Sequence, residues 1–342
     1  MLILTFSVSL NAAIKELNLL VRTDIVVPDV VMNGDRHIFP EGDVLRVGIW
    51  GAAQPPLYID NDHHAFEGLT ADYLGAVQRM LKLRMQLIYY PTEEAMAAAL
   101  AAGTLHMVAI YNPETLMLTP PLIRTTPYLL DSSVILQNAK NDNDKSLTGK
   151  IIAWAGPQRI GIKLQQDYPA AILQHHQTYA KALAATAFHQ ADATWGNAST
   201  QEYLLRYGYS NELTMSPSRA LSNLNISFGV SPRYPELAEA LNMALRMIPL
   251  AGRLRIANRW QLQSHYVMKN NPLALTAQED NWLRLHPFIP VDIAANGAPL
   301  FFRDESGTWQ GIAKEIVDLI SGRAGVLFEP VTPGQHASVD ST

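Results

Sequence analysis

Short runs of β-branched and aromatic residues alternate with segments of helical periodicity along most of this chain, and that alternation limits its fold more than any other feature. A β-rich run at residues 45–50 is followed by residues 69–83, where apolar side chains recur at helical spacing, and then by a second β-rich run at 85–90. A helical segment at 93–102 and a third β-rich run at 106–111 continue the order. Parallel strands connected by helices produce this order, so the sequence predicts an α/β fold with mostly parallel sheets.

The same order starts again after a polar stretch at residues 141–145, which predicts a second lobe. β-rich runs and helical segments alternate once more up to residue 230, and two amphipathic helices follow. We therefore predict one bilobed domain over residues 44–262. The predicted bounds are about 44–134 and 228–262 for lobe 1 and about 135–227 for lobe 2.

The segments before this domain have a different character. Residues 1–13 form an apolar run that ends in small residues, as the back half of a secretory signal does, but it lacks a basic start. A clipped signal, a short working signal and a first buried strand all remain open for it. Residues 14–43 predict an extended arm, because β-rich pieces are broken there by proline and glycine. No other apolar stretch reaches the roughly 18 to 20 residues of a membrane span.

A repeat of domain size is visible after the domain. Residues 56–58 (PLY) precede Gly68 by twelve residues, and residues 299–301 (PLF) precede Gly311 by the same twelve. We therefore expect a linker helix at 263–287 and an incomplete second domain at 288–342, with a disordered tail from Pro333. Apolar side chains of this fragment, such as Ile312 and Ile316, are expected to lack a covering partner.

Composition and missing motifs exclude several classes of function. The chain has no cysteine, which excludes disulfides, Cys-ligated zinc and a thiol nucleophile. A net charge of −5 is too acidic for a general nucleic-acid binder. Phosphate-binding loops, dinucleotide fingerprints and serine elbows are absent from the sequence. Adjacent histidines, as in 63–64 and 175–176, point apart and favour solvated loops over a metal site. The sequence thus predicts no cofactor, no metal and no catalytic residue.

Several segments resemble a known family when their order and spacing are taken together. The chain resembles the solute-binding modules called Venus flytrap domains, of extracellular solute-binding protein family 3 and the type II periplasmic binding fold. It is most similar to the tandem of such modules in the sensor region of BvgS-type and EvgS-type hybrid histidine kinases. The matching segments are 19–24 (LLVRTD), 45–48 (LRVG), 66–74 (FEGLTADYL), 125–128 (TTPY), 190–193 (QADA) and 275–283 (LTAQEDNWL).

This resemblance implies a two-lobed clamp that binds its ligand in the cleft between the lobes. The chain is expected to cross between lobes near 128–136 and to return near 227–232. Loops that follow strands are then the candidate ligand contacts, since parallel sheets bind at the carboxyl ends of their strands. The candidate ligand-binding residues are Trp50, Tyr58, Tyr111, Asn112, Gly156, Gln158 and Asn197, with Ala155 beside them. Their aromatic faces, amides and backbone donors suit a small polar or weakly anionic molecule.

Two departures from the family narrow the expected ligand. Amino-acid-binding members place an arginine in the loop after Tyr111 to bind an α-carboxylate, and residues 112–118 contain none. Their acidic residue for the α-amino group is replaced here by Asn197. We therefore expect an amino-acid-like molecule or organic anion other than an ordinary free amino acid. Packing within lobe 1 is an equally open interpretation of Trp50 and Tyr58, and Asp72, Trp260 and Trp282 are interpreted as structural.

The resemblance implies a periplasmic ligand-sensing module of a two-component sensor kinase, with no enzyme activity in this chain. Kinase activity and a membrane anchor would then lie in segments beyond this sequence, and the sensor region could form a homodimer. Two rival functions stay open. One is a free solute-binding protein of an ABC transporter, and the other is a cleft enzyme, such as the dehydratase or murein-cleaving relatives of this fold.

Overall fold

The computed structural model describes residues 14–27, 44–59, 64–138, 146–206, 213–221, 223–263 and 266–267, together with separate stretches between 278 and 331. The predictions for the apolar run at 1–13, for most of the arm and linker, and for the tail from Pro333 lie outside the described residues.

The described strands and helices follow the alternation that the sequence predicts. The strands are β1 Lys15–Leu20, β2 Val44–Trp50, β3 Ala65–Glu67, β4 Arg84–Tyr90, β5 Met107–Tyr111, β6 Ile123–Arg124, β7 Ser133–Asn138, β8 Ile151–Ala155, β9 Ile172–His176, β10 Ala193–Asn197, β11 Leu213–Pro217, β12 Ser227–Val230, β13 Phe288–Asp292, β14 Phe302–Arg303, β15 Trp309–Gln310 and β16 Leu327–Val331. The helices are α1 Leu69–Leu81, α2 Glu93–Ala102, α3 Gln158–Asp167, α4 Tyr179–Ala187, α5 Ala198–Leu205, α6 Pro235–Met247 and α7 Leu250–Arg259.

The first sheet, which with its helices we call lobe 1, has the strand order β3-β1-β4-β2-β5-β12-β6. Strand β2 is parallel to β4 and β5, while β12 is antiparallel to β5. Helix α1 is buried almost all round, between the sheet and the helices α6 and α7. Helix α2 is in contact with β2 and β4, and its Met96 and Leu100 belong to a separate apolar cluster with Leu105 and Val108.

The second sheet, which with its helices we call lobe 2, has the order β11-β7-β10-β8-β9. Strands β8, β9 and β10 are parallel, so their carboxyl ends lie at one edge of the sheet. Two apolar clusters lie in lobe 2, and the main cluster of lobe 1 reaches into it at Leu136 and Leu183. Ile160 and Leu164 of α3 pack with Trp154 and Trp195, while the alanine-rich α4 packs with Ala153 and other alanines of the sheet. The α/β fold with two sheets confirms the fold class predicted from the sequence.

Two segments connect the lobes, at residues 125–132 and 218–226. They run side by side and are hydrogen-bonded to each other. Tyr128 N donates to Ile226 O at 2.9 Å, and Ile226 N donates to Leu129 O at 2.8 Å. The return crossing lies earlier than the expected 227–232, since β12 begins at Ser227 and pairs with β5 and β6 in lobe 1.

The segment expected to be an arm contributes a strand to lobe 1. Strand β1 lies between β3 and β4, parallel to the former and antiparallel to the latter. The residues after β1 are joined to α1 by the fully buried carboxylate of Asp72. This carboxylate accepts hydrogen bonds from Arg22 N at 2.6 Å, from both the backbone N and the hydroxyl of Thr23, and from Trp260 Nε1 at 2.7 Å. Asp72 and Trp260 are therefore structural, as the sequence indicated.

The repeat seen in the sequence has a matching backbone geometry. In lobe 1, Leu69 N donates to Pro56 O, and at the repeated position Ile312 N donates to Pro299 O. Gly68 and Gly311 have φ angles of 132° and 117°, which favour glycine. Parallel pairing of β13 with β16 likewise matches that of β2 with β4. The second set of elements thus repeats the opening of lobe 1.

Coverage by neighbouring helices differs between the two copies. Leu69 and Tyr73 of α1 are fully buried, whereas Ile312 and Ile316 at the repeated positions are 54% and 52% exposed. Within the part of the chain that the structure describes, the repeated positions lack the cover that α6 and α7 give to α1.

Asp72→Asn tests whether this carboxylate joins the N-terminal segment to lobe 1. The substitution replaces one carboxylate oxygen by an NH2 group, which cannot accept a hydrogen bond. The buried donors of Thr23 and Trp260 then lose a charged partner. We expect the free energy of unfolding to fall by about 3 kcal/mol, the range of hydrogen bonds to charged groups. The measurement is urea unfolding followed by tryptophan fluorescence.

Asp24→Asn is the matched control, because the Asp24 side chain is 99% exposed and lies 3.8 Å from Arg79. An exposed ion pair contributes about 0 to 1 kcal/mol, so this variant should unfold nearly as the unchanged protein does. Equal, small effects of the two substitutions would contradict the structural role assigned to Asp72.

Candidate functional site

A cavity of about 180 Å³ lies between the two lobes and is lined from both of them. Trp50 ends β2 and Asn112 follows β5 on the lobe 1 side, while Gly156 follows β8 and Asn197 ends β10 on the lobe 2 side. Residues of the second connecting segment, including Ile226, complete the lining. The cavity thus lies at the carboxyl ends of the parallel strands, where open α/β sheets bind ligands.

The lobe 1 wall combines aromatic and amide groups. The Tyr58 ring packs on Phe66 with centroids 5.1 Å apart and is almost fully buried, which leaves only a small part of it to the cavity. Trp50 is half-buried, and the side chain of Gln54 lines the same wall. Trp50 Nε1 and the Gln54 amide form no hydrogen bond with any described residue, so both groups are available to a ligand.

The lobe 2 wall depends on a glycine. Gly156 has a φ of 104°, and an added Cβ would lie 2.6 Å from the Tyr179 hydroxyl, so a larger residue does not fit there. His175 Nε2 is 3.1 Å from Gly156 O, and the His175 ring lies against Trp154 with centroids 4.3 Å apart. These contacts fix the loop after β8 next to the aromatic wall.

The cavity contains no formal charge in its described lining. None of the described residues around it is Asp, Glu, Lys or Arg, and its polar groups are amides, hydroxyls, an indole and the His175 imidazole. Such a site binds through hydrogen bonds and aromatic faces, with no ion pair to a full charge.

Five of the seven candidate residues line this cavity. They are Trp50, Tyr58, Asn112, Gly156 and Asn197.

Tyr111 and Gln158 lie elsewhere. The Tyr111 ring belongs to the apolar cluster beneath α2, with Leu116 and Leu122, and burial raises its pKa. Gln158 is the exposed first residue of α3.

Asn112 lines the cavity, but its amide is already engaged. Its Nδ2 donates to Asn223 O at 3.1 Å and to Asn225 O at 2.8 Å, and its Oδ1 accepts from Glu114 N at 2.8 Å. Both N–H groups and the oxygen of the Asn112 side-chain amide therefore have protein partners. Asn112 joins the end of β5 to the second connecting segment.

Three lining residues of lobe 2 with polar side chains were not among the candidates: His175, Gln177 and Tyr179. They lie at the end of β9 and the start of α4. The run at 172–176 (ILQHH) has no apolar alternation, so no strand was predicted there, and most of its side chains are exposed in the structure. Sheet pairing of β9 with β8 brings these residues to the cavity.

Asp131, in the first connecting segment, has a buried carboxylate behind the cavity. Oδ1 accepts from Ser132 N at 2.9 Å and Ser199 N at 3.2 Å, while Oδ2 accepts from the Ser199 hydroxyl and from Asn197 Nδ2 at 3.3 Å. The backbone N of Asp131 donates to Asn225 Oδ1 at 2.9 Å. Burial raises the pKa of Asp131 to about 6, against the lowering effect of these hydrogen bonds.

Glu202, one turn further along α5, faces the segment that leaves lobe 1. Gln263 Nε2 donates to Glu202 Oε1 at 3.4 Å, and Tyr266 is also hydrogen-bonded to this carboxyl group. The pKa of Glu202 is raised to about 7, mainly by burial and also by the charge of Asp131, against the lowering effect of Arg206. Leu130 N donates to Tyr266 O at 2.8 Å. The outgoing segment therefore contacts both lobe 2 and the first connecting segment.

The described part of the chain contains no group of three His, Asp or Glu side chains placed to bind a metal ion. Its helices include none with the length and apolar character of a membrane span.

Two α/β lobes, joined by two adjacent connecting segments and separated by a cleft at the carboxyl ends of their strands, define a Venus flytrap domain. An ancestral arginine-binding protein bound to arginine shares this fold, with a TM-score of 0.51 over 64% of this chain and 98% of that protein, at 18% identity. No family model matches the chain.

The chain is homologous to the sensor proteins BvgS and EvgS, which confirms the resemblance predicted from the sequence. It is 29% identical to the virulence sensor protein BvgS of Bordetella bronchiseptica over 322 residues, covering 93% of this chain and 26% of that protein. It is 27% identical to the sensor protein EvgS of Escherichia coli over 283 residues, covering 78% and 22%. The chain thus spans about a quarter of the length of these relatives.

A solved structure extends the match across almost the whole chain. The Bordetella pertussis BvgS periplasmic domain superposes with a TM-score of 0.62 at 27% identity, covering 93% of this chain and 62% of that one. The chain is therefore similar, in sequence and in fold, to the periplasmic Venus flytrap region of a sensor protein.

Glu202→Gln tests the raised pKa of this carboxyl group. A folded-state pKa above the unfolded value of 4.5 stabilises the fold fully below 4.5, and that contribution is lost as pH rises through about 7. The fall in unfolding free energy between pH 5 and pH 8 should therefore be smaller in the variant, by at most about 3 kcal/mol. Urea unfolding at the two pH values measures it.

Glu239→Gln is the control, because Glu239 is exposed on α6. It should leave the pH dependence unchanged. If Glu202→Gln showed the same pH dependence as this control, the carboxyl group would be titrating normally.

Proposed function

We propose that this chain is a ligand-sensing module of a two-component sensor kinase, located in the periplasm and binding a small molecule between its lobes. The observation that carries the proposal is the cavity lined from both lobes at the carboxyl ends of β2, β5, β8 and β10. Its place in a chain homologous to BvgS and EvgS supports sensing as the purpose of binding.

The ligand is a small polar or weakly anionic organic molecule. The cavity of about 180 Å³ is below the 300 to 1,000 Å³ typical of sites for drug-sized ligands. The Trp50 indole N–H, the Gln54 amide and the Tyr179 hydroxyl can donate to it, and aromatic faces can pack on it. A free amino acid would bring two full charges into a lining that offers no opposite charge among its described residues, which disfavours it.

Signalling would use closure of the two lobes about the connecting segments. A ligand that contacts both walls favours the closed form by the difference between its affinities for the two forms. One bond already crosses the mouth of the cleft, from Arg159 Nε on α3 to Glu114 O of lobe 1 at 3.2 Å. This bond can form only when α3 is close to lobe 1.

The outgoing segment supports a sensor over a free transport protein. Leu130 N and Glu202 contact Tyr266, so a movement of lobe 2 would displace the chain that leads to the repeated elements. We infer that residues 288–331 begin a second Venus flytrap domain, because their hydrogen bonds and strand pairing match those of lobe 1. A free binding protein would need neither feature.

Kinase activity, membrane anchoring and dimerisation are proposed for the whole protein on the basis of its homology to sensor proteins.

The alternative that the cleft is an enzyme active site requires an ionisable group in the cavity with a pKa suited to catalysis. The described lining contains one imidazole, that of His175, and its Nε2 lies 3.1 Å from the backbone oxygen of Gly156. We therefore do not propose catalysis in this cleft.

Binding of small probes tests the proposed ligand class. Thermal unfolding should be measured with acetamide, lactamide, acetate, lactate and benzoate, and with L-arginine and L-glutamate as charged comparators. We expect stabilisation by neutral or monoanionic probes and none by the two amino acids. Asn197→Ala should weaken a stabilising probe that carries an N–H or O–H group, such as lactamide, about 10-fold, the effect of one lost hydrogen bond of about 1.4 kcal/mol.

Gln158→Ala is the control for this experiment, because Gln158 is exposed on the same lobe and does not line the cavity. It should leave probe binding unchanged. Stabilisation by L-arginine alone, or probe binding that is insensitive to Asn197→Ala, would contradict the proposed site.

A further inference from the structure

Asn197 stands at the N-cap position of α5, yet its side chain does not cap the helix. N-cap side chains ordinarily accept a hydrogen bond from the backbone N–H of the second or third helical residue. Here the carboxylate of Asp131 accepts that bond, from Ser199 N at 3.2 Å. The Asn197 side chain is thereby released from capping and lines the cavity.

The orientation of the Asn197 amide follows from its contact with Asp131. An ionised carboxylate only accepts hydrogen bonds, so the amide must turn its Nδ2 toward Asp131, where the distance to Oδ2 is 3.3 Å. Asn197 Oδ1 accepts no hydrogen bond from any described residue. The oxygen is therefore the atom that the amide offers to the cavity.

We propose that Asp131 is the positioning residue of the binding site: it orients Asn197 so that Oδ1 faces the cavity as a hydrogen-bond acceptor. The proposal rests on the ligand-binding function proposed above and specifies the ligand further. A ligand that reaches lobe 2 at this point has to present an N–H or O–H group. An anionic oxygen of the ligand would instead be repelled by the acceptor and by the carboxylate behind it.

The same carboxyl residue also joins the two connecting segments. Asp131 N donates to Asn225 Oδ1, Leu224 N donates to Asp131 O at 3.1 Å, and Asn112 Nδ2 donates to Asn225 O. Hydrogen bonds therefore run without interruption from Asn112 on the lobe 1 wall, through Asn225 and Asp131, to Asn197 on the lobe 2 wall. The orientation of Asn197 depends on the Asp131 carboxylate, and the link between the connecting segments on the backbone of the same residue.

Nuclear magnetic resonance of the ligand-free protein tests this positioning. The side-chain amide of Asn197 is assigned in ¹⁵N-labelled protein by its absence from Asn197→Ala. When Asp131 is protonated, the amide loses its charged acceptor, and burial places the pKa of Asp131 near 6. The Asn197 amide signals should therefore shift between pH 5 and pH 7.5, and this response should be lost in Asp131→Asn.

Other ionisable groups near Asp131 need separate controls. Glu202 on α5 and Tyr266 on the outgoing segment interact electrostatically with Asp131. In Glu202→Gln the pH response of Asn197 should persist, and it should persist in Asp167→Asn, where an exposed aspartate of lobe 2 is changed. A response that survives in Asp131→Asn, or that disappears in Glu202→Gln while Asp131 still titrates, overturns the proposal.

The unchanged protein gives an independent answer if Asp131→Asn does not fold. The carboxyl carbon of Asp131 can be followed in ¹³C-labelled protein, and its titration should coincide with that of the Asn197 amide. Titration of Asp131 with no change at Asn197 overturns the proposal. Because no ligand is added, this outcome is separate from a failure of the probes to bind.

Discussion

A buried carboxylate at the junction of the two lobes is the interaction on which the rest of this structure depends. Asp131 accepts hydrogen bonds from Ser132, Asn197 and Ser199, and its backbone groups bond to the second connecting segment. A buried charge is tolerated only when its hydrogen-bonding capacity is met, so these donors must stay in place together. Both connecting segments, the start of α5 and one wall of the cavity are consequently fixed relative to one another.

A second carboxylate, Asp72, uses the same chemistry inside lobe 1. No basic side chain pairs directly with Asp72 or Asp131 in the described contacts, and backbone N–H, hydroxyl, amide and indole donors meet them instead. Such donors have fixed directions, whereas a Lys or Arg side chain can follow a moving partner. These two buried charges therefore serve to fix backbone segments, while the described cavity lining contains no Asp, Glu, Lys or Arg.

The sequence predicted those parts of the fold in which local pattern and burial agree. Helix α2 was predicted with its observed bounds from its alanine-rich run and from Gly103, which ends it at a φ of 76°, and in the structure Thr92 caps its start. Strands β1 and β9 were not assigned to sheets, since exposed or mixed side chains conceal their pairing.

Among the site candidates, Tyr111 and Asn112 show the limit of prediction from sequence. Both were predicted as ligand contacts from their position at the end of a strand. In the structure the Tyr111 ring packs beneath α2, and the Asn112 amide is hydrogen-bonded to backbone groups. Only the tertiary contacts of residues far apart in the chain decide such cases.

The proposed signal requires two rigid lobes that move about the segments joined at Asp131, so a distance across the cleft must respond to the ligand. The chain has no native cysteine, so spin labels can be attached to cysteines introduced at exposed Glu94 in lobe 1 and Ala180 in lobe 2. A second pair within lobe 2, at Gln166 and Ala180, reports internal change. On binding of a cavity ligand, we expect the cross-cleft distance to shift and the distance within lobe 2 to stay the same. An unchanged cross-cleft distance in the ligand-bound protein would contradict the proposed signal.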